Sequence, residues 1–412
     1  MNEFDVFSFK NGLRAVYKQN TITQLFHCGF VLDIGSRDEK EHQLGLAHFW
    51  EHMAFKGTKK RKAFHILNRL ESVGGEINAY TTKEKIYFYA SVLSKHHDRA
   101  IELLTDILFY STFPENETNK ERHVILEEMA MYNDMPEEAI VDEFEEVIFK
   151  NHSLGKNILG TKESVLSFKS HDFSQFLKEN LNSEKIIFSA VGNLSKQQFE
   201  KSVSKHLEKL PTFSAQPIRS PFNSYAPSIL EKKKSSSQAH CAIGTIGLSL
   251  HHKDRLPLFM LINILGGSGL TSRLNMALRE RKGYVYSVDA STASYTDTGM
   301  ISLFFGTEEK TLYKSIKLVY RELEKLQSKP LGTIQLSQAK EQLMGQLVMS
   351  EERNVSLMQM MGKSLLDLNK IDSLDSVLEE IKQVSATKLC DLANTFFNKE
   401  QLSQLIYLPN NN

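Results

Sequence analysis

Leu44-Gly45-Leu46-Ala47-His48-Phe49-Trp50-Glu51-His52-Met53-Ala54-Phe55 is the stretch that decides how this chain is read. It is apolar, free of proline, and carries one compact polar group, His48-x-x-Glu51-His52. Such a run is expected to form a helix. Helical side chains four apart stand one above the other, so the imidazoles of His48 and His52 meet on one face. Glu51 falls near that face, within reach of a metal-bound water. Two neutral imidazoles converging from one helix form a common grip for Zn²⁺, and H-x-x-E-H is the inverted order of the zinc-hydrolase motif. Taken alone, the motif also fits two partly exposed histidines and a surface glutamate on an ordinary amphipathic helix. The apolar flanks favour the metal, because a buried glutamate is costly without a compensating cation.

A catalytic zinc takes three protein ligands and keeps one position open. Downstream, the segment from Pro114 to Tyr132 reads as a long helix, with a proline and an acidic first turn as its start signal. Glu121 and Glu128 lie about two turns apart and share a face, with Val124 and Ile125 between them on the same stripe. Carboxylates on an apolar stripe need a cation nearby. Glu127 points away, which leaves Glu128 as the candidate third ligand. Glu121 then orients a ligating histidine or steadies the charge of the site. Pairing of either glutamate with a lysine or arginine is the alternative.

Further segments follow in order: Gly74-Gly75-Glu76-Ile77-Asn78-Ala79-Tyr80-Thr81, then Glu121 through Glu128, then Leu265-Gly266-Gly267-Ser268-Gly269-Leu270-Thr271-Ser272-Arg273-Leu274 running into Arg279-Glu280-Arg281-Lys282-Gly283-Tyr284-Val285-Tyr286-Ser287. With the histidine motif, these resemble the pitrilysin/insulinase family of zinc peptidases, in the branch containing mitochondrial processing peptidase and small bacterial peptidases. The resemblance implies that His48, His52 and Glu128 bind one zinc ion and that Glu51 is the catalytic base. It places Glu121 at a supporting acidic position. Asn78 and Ala79, with Tyr80 beside them, match an edge strand where substrate backbone docks as an added strand. Arg279 and Tyr286 match a pair that contacts the bound peptide near the scissile bond.

The implied activity is zinc-dependent endopeptidase hydrolysis of peptides or short unfolded polypeptides in an enclosed chamber. Two alternatives stay open: a non-catalytic assembly or binding subunit of the same fold, and a dedicated precursor-processing peptidase. Relatives that are only structural subunits have usually lost letters of the zinc motif, whereas all of them stand here. Four-domain relatives carry the zinc in their first domain and the arginine-tyrosine pair in their last. A chain of two halves is therefore expected to form a homodimer, with Arg279 and Tyr286 of one protomer serving the zinc of the other.

Composition narrows the class. The 412 residues suffice for two to four domains, and 50 Lys and Arg balance 50 Asp and Glu. That balance gives no global field toward nucleic acid or anionic membrane. No run approaches a membrane span, and no secretory or organelle address is read at Met1-Asn2-Glu3-Phe4-Asp5-Val6-Phe7-Ser8. Cys28, Cys241 and Cys390 are scattered, as expected of reduced thiols in a cytoplasmic protein.

The expected fold class is α+β, two similar halves each with a mixed or antiparallel sheet packed by helices. Pro211, Pro217, Pro221 and Pro227, followed by Glu231-Lys232-Lys233-Lys234-Ser235-Ser236-Ser237, mark residues 211–237 as a solvated linker. Residues 1–210 form the expected zinc-binding half and 238–412 the half expected to close over substrate. The run Leu25 to Ile34 before the motif helix has its counterpart in Ala239 to Leu250 before an apolar helix at Leu256 to Leu265. The strand from Lys85 to Val92, leading to a helix at Asp98 to Tyr110, is matched by Gly299 to Phe305, leading to a helix at Thr311 to Leu326. Long helices are expected at Ile334 to Asp367 and Ser373 to Phe397. The Gly266-Gly267-Ser268-Gly269 loop lacks the lysine of a phosphate cradle and is read as a helix-ending turn that aims Arg273 and Arg279. Glu84 is read as a solvated turn residue, and Trp50 as core beside the metal helix.

Overall fold

The apolar run at Leu25–Leu32 forms a strand buried at every residue after its first. This computed structural model describes residues 3–410. The strand is β3 of a six-stranded sheet that also contains β1 (Asp5–Ser8), β2 (Arg14–Gln19), β4 (Glu76–Thr81), β5 (Ile86–Leu93) and β6 (Ile186–Gly192), in the order β1-β2-β6-β3-β5-β4. β2 and β6 run parallel and every other pairing is antiparallel. A second sheet has β7 (Ile229–Lys234), β8 (Ala239–Gly247), β9 (Val285–Ser294), β10 (Gly299–Thr307) and β11 (Ser403–Pro409), in the order β7-β11-β8-β10-β9. Here the single parallel pair is β7 with β11. Leaving β1 aside, the two sheets have the same order and the same directions, so the repetition expected from the apolar runs is a repetition of topology.

The helix Leu46–Met53, α1, follows β3, and the helix Arg255–Gly266 follows β8 in the corresponding place. The latter carries Arg-Leu-Pro-Leu-Phe-Met-Leu-Ile-Asn-Ile-Leu-Gly, with no metal-ligating side chain. Among the described residues, only the first sheet therefore has a candidate metal helix.

The chain divides into two compact units, and neither is a contiguous half. The first comprises the chain up to Glu128, Lys156–Arg219 and Val348–Ser373; the second comprises Met129–Gly155, Ser220–Leu347 and the chain from Leu374. The sheets exchange helices as a result. On the first sheet, Leu357, Met358, Met361, Leu365 and Leu366 of the helix Asn354–Leu368 pack on Val16, Val31, Tyr87, Ile187 and Val191. On the second, Ile140, Phe144 and Ile148 of the helix Pro136–Ile148 pack on Ala242, Met300, Leu405 and Tyr407. Each such side chain contributes about 1.5–3 kcal/mol when fully buried. Alternation along β3 shows why that strand is buried on both faces. Phe30 meets Phe109 of the helix His97–Phe109, while its neighbour Val31 faces Gly362 of the exchanged helix.

Several local expectations are corrected. The stretch expected as linker contains β7, because its residues pair in register with β11, and both Lys232 and Lys234 are ion-paired to Glu143. The expected helix from Ile334 to Asp367 is two helices, Thr333–Glu351 and Asn354–Leu368, parted where Arg353 takes an extended backbone. The expected helix from Ser373 to Phe397 likewise breaks into Leu374–Gln383 and Ala386–Phe396, because the Ser385 side chain caps the second by accepting from Lys388 N. Glu84 is buried, with Arg37 Nη1 at 2.6 Å from its Oε1. Cys28 and Cys241 are buried free thiols. No helix of the described residues is long and apolar enough to cross a membrane.

Candidate metal centre

α1 is anchored before its histidines are reached. Gly45, just ahead of it, has φ +90, and a Cβ there would stand 2.5 Å from the Leu159 carbonyl oxygen. Only glycine accepts both conditions. The carboxylate of Glu39 accepts hydrogen bonds from Gly45 N (2.9 Å) and Ala47 N (2.7 Å), two donors that the helix cannot satisfy internally. Burial pushes the Glu39 carboxyl up to about 8 in spite of those bonds. On the inner face, Phe49 meets Phe173 and the fully buried Trp50 meets Phe88, as expected of a core tryptophan. The rotation of α1 is thereby set, and His48, Glu51 and His52 occupy its other face.

Opposite them runs the helix Glu115–Asn133. Glu121 is buried, Glu128 is half-buried and Glu127 is exposed, as their spacing predicts. Of the apolar pair between them, Ile125 is buried but Val124 is 50% exposed, so the stripe is narrower than expected. The rings of His48 and His52 stand 4.6 Å apart. Nε2 of His48 is 3.8 Å from Oε1 of Glu128, and Nε2 of His52 is 3.6 Å from its Oε2. One donor atom from each residue lies within 4.8 Å of the others. Donors around a tetrahedral zinc at ~2.0–2.2 Å are spaced by roughly 3.3–3.6 Å, so the three fit one ion after a small contraction.

Protonation fits as well. Nδ1 of His52 is 2.9 Å from Oε1 of Glu121, which holds the proton on Nδ1 and turns the Nε2 lone pair toward Glu128. Glu121 is also 2.6 Å from Lys56 Nζ; burial works to raise its pKa, but the bonds from His52 and Lys56 outweigh it and leave the carboxyl below its ordinary range. Burial, with His52 adding to it, lowers His48 to about 3, so this imidazole is neutral and able to ligate. Its Nδ1 has no hydrogen-bond partner among the described residues, so of the two imidazoles only that of His52 is oriented by a carboxylate at Nδ1. Burial raises the carboxyls of both Glu51 and Glu128. Three acidic side chains, Glu51, Glu121 and Glu128, thus crowd around two imidazoles and one lysine. A divalent cation would relieve that excess.

Thr81 completes the group. Its hydroxyl donates to Oε2 of Glu51 at 2.6 Å. Thr81 ends β4, which is the edge of its sheet and, among the described residues, pairs only with β5. Asn78, Ala79 and Tyr80 lie on this strand beside an open edge. Strand alternation puts Ala79 on the Thr81 face and Tyr80 on the other, where its ring stacks on Tyr87 at 4.4 Å. Only the backbone of Tyr80 is therefore available toward the metal face.

Arg279 and Tyr286 belong to the second unit, and His48, Glu51, His52, Glu128, Glu121 and β4 to the first. Arg279 is carried by the π-helical turn Asn275–Glu280, with its guanidinium carbon 5.6 Å from the centre of the Tyr286 ring. Tyr286 on β9 is 84% exposed. Sequence reasoning missed Thr81, Lys56 and Glu39. Thr81 could have been found from its strand parity with Ala79, and Lys56 from its place four residues after His52. Glu39 left no comparable signal, because a cap six residues ahead of the turn follows no local spacing.

Two family models match the chain: Insulinase (Peptidase family M16) over residues 14–162 and Peptidase M16 inactive domain over residues 167–343. An uncharacterized zinc protease YmxG of Bacillus subtilis is 34% identical, covering 97% of this chain and 97% of its own. An uncharacterized zinc protease of Rickettsia bellii is 31% identical, covering 99% and 98%. Among solved structures, a peptidase M16 inactive domain from Pseudomonas fluorescens superposes with TM-score 0.92 at 17% identity, covering 100% of this chain and 99% of that one. A protease from Helicobacter pylori superposes with TM-score 0.90 at 21% identity, covering 99% and 100%. These two likenesses establish the α+β fold.

Proposed function

The chain belongs to the insulinase family of peptidases, family M16, and on that premise we propose that it is a zinc-dependent endopeptidase whose ion is held by His48, His52 and Glu128. The convergence of three donor atoms from α1 and the helix Glu115–Asn133 carries this reading. Zinc held there supplies a Lewis acid beside a general base. Glu51 is that base. It takes the proton of the attacking water and returns it to the leaving amine, and its raised pKa suits a group that must do both. Thr81 keeps one of its oxygens fixed, leaving the other free for the water. Substrate docks extended along the open edge of β4 at Asn78, Ala79 and Tyr80, where backbone hydrogen bonds give affinity with little demand on side chains.

Arg279 and Tyr286 serve the same reaction by binding the peptide near the scissile bond. We place them at the metal centre of a partner protomer in a homodimer. The exposure of Tyr286 beside a guanidinium supports a surface kept free for a ligand.

Glu51→Gln protein should retain one zinc per chain and lose cleavage of a quenched peptide. Metal-free wild-type protein, or a Glu51→Gln protein that cleaves at the parental rate, would overturn the assignment. Mixing Glu51→Gln with Arg279→Ala protein should restore part of the activity after subunit exchange. The absence of any rescue in exchanged mixtures would refute the dimeric arrangement.

A further inference from the structure

A cavity of about 500 Å³ lies wholly within the second unit, between the loop after the helix Arg255–Gly266 and the end of the helix Leu312–Ser328. Four cationic side chains line it: Arg273, Arg281, Lys325 and Lys329. One carboxylate faces them. Glu322 is buried, with Lys325 Nζ at 2.5 Å from its Oε1 and Arg273 Nη1 at 3.9 Å from its Oε2. That carboxylate occupies Lys325 and Arg273 together. Arg281 and Lys329 have no ion pair or side-chain hydrogen bond among the described residues. Four cations around a single anion in a concave site repel one another, and the field is focused by the low-dielectric walls. A bound oxyanion relieves this repulsion, and guanidinium is suited to a carboxylate in bidentate contact.

The lining also tells carboxylate on an organic frame from a bare inorganic ion. Met276 and Leu331 give the cavity apolar wall beside its cations, and Gln335 adds an amide. A volume of this size suits a ligand of several residues' side chains. We infer that this cavity is an accessory site for acidic peptide segments, in which glutamate or aspartate carboxylates meet Arg281 and Lys329 and neighbouring apolar side chains meet Met276 and Leu331. Neither Arg279 nor Tyr286 lines the cavity. As a site for substrate peptides it rests on the peptidase reading, but binding itself needs no catalysis.

The test is therefore made on full-length Glu51→Gln protein. Anisotropy of a fluorescein-labelled hexapeptide alternating glutamate and leucine is compared with that of its glutamine counterpart. The acidic peptide should bind, with affinity falling as salt is raised, and the glutamine peptide should bind at least roughly tenfold more weakly. Arg281→Glu/Lys329→Glu protein should lose the acidic peptide by a similar factor while melting as the parent does; both side chains are exposed, so the fold tolerates the change. Arg281→Gln/Lys329→Gln provides a milder pair with the same direction of effect. Equal affinity for the two peptides, or undiminished binding by both double variants, overturns the site. Citrate bound in an Arg281- and Lys329-dependent way, with no binding of the peptide, overturns the peptide in favour of a small free anion. Zinc content and cleavage by wild-type protein are measured separately, so a failed peptidase reading shows there and not in the anisotropy.

Discussion

Thr81 donates a 2.6 Å hydrogen bond to Oε2 of Glu51, which ties the edge strand β4 to the helix that carries both histidines. The proposed base and the proposed docking edge are thus one mechanical piece. A peptide that adds to β4 meets a strand whose last side chain already holds the carboxylate in place.

Thr81→Val removes this donor and keeps the β-branched shape. Cleavage rate should fall by roughly ten- to a hundredfold, as for loss of other groups that orient a catalytic shell, with zinc content unchanged. Thr81→Ser should recover most of the rate. Equal kcat for the valine and wild-type proteins would remove Thr81 from the base.

Glu121 fixes the tautomer of His52 and is itself held by Lys56. Glu121→Gln offers an amide where His52 Nδ1–H and Lys56 need a carboxylate. Zinc affinity should weaken by about ten- to a hundredfold, read as earlier loss of metal to a graded chelator. Lys56→Ala should weaken it less. Unaltered chelator titrations in both would show that His52 is oriented by something else.

Glu39 sets a pH dependence of stability whose sign follows from its raised pKa. The folded value is about 8 against 4.5 for the free carboxyl, so between these the native chain keeps a proton that the unfolded chain releases. The contribution is complete below about 4.5 and is lost as pH rises toward 8. Melting of the wild type should therefore drop between pH ~5 and ~8, and Glu39→Gln should flatten that drop. Glu39→Ala, which also removes both cap bonds, should cost about 0.5–2 kcal/mol. Parallel melting curves for wild type and Glu39→Gln would reject the assignment.

Gly362 reports on the exchanged helix. A Cβ there would stand 2.8 Å from Val31 Cγ2 and 3.1 Å from Ser189 Cβ. Gly362→Val should destabilise by about 1–3 kcal/mol, seen as a lower melting temperature. Gly345, on the helix Thr333–Glu351, has nothing within 4 Å of its Cβ position, so Gly345→Ala should be neutral or mildly stabilising. Equal melting of Gly362→Val and wild type would mean that this helix is not closely seated.

The grouping at the candidate metal centre was legible because its parts obey local periods. His48 lies one turn from both Glu51 and His52, and the spacing of Glu121 and Glu128 put both on one face of the helix Glu115–Asn133. The duplicated topology was legible in part, through apolar runs that recur in order. The exchange of helices was not, because the amphipathic faces of Asn354–Leu368 and Pro136–Ile148 say only that each covers something. Nor was the strand inside residues 211–237 visible there: Glu231-Lys232-Lys233-Lys234 reads as solvated, and only the register with β11 makes it β-structure. Glu84 was misread for a similar reason, since its burial depends on Arg37, far off in sequence.

The traded helices also bear on how the molecule is made. A ribosome must pass Ser373 before every segment of the first unit exists, and must go on past Leu374 before the second is whole. Until then Val31, Ile187 and their neighbours await the helix that covers them. A chain that stops short of Asn354 would carry the histidines and glutamates in sequence but leave one side of their sheet bare.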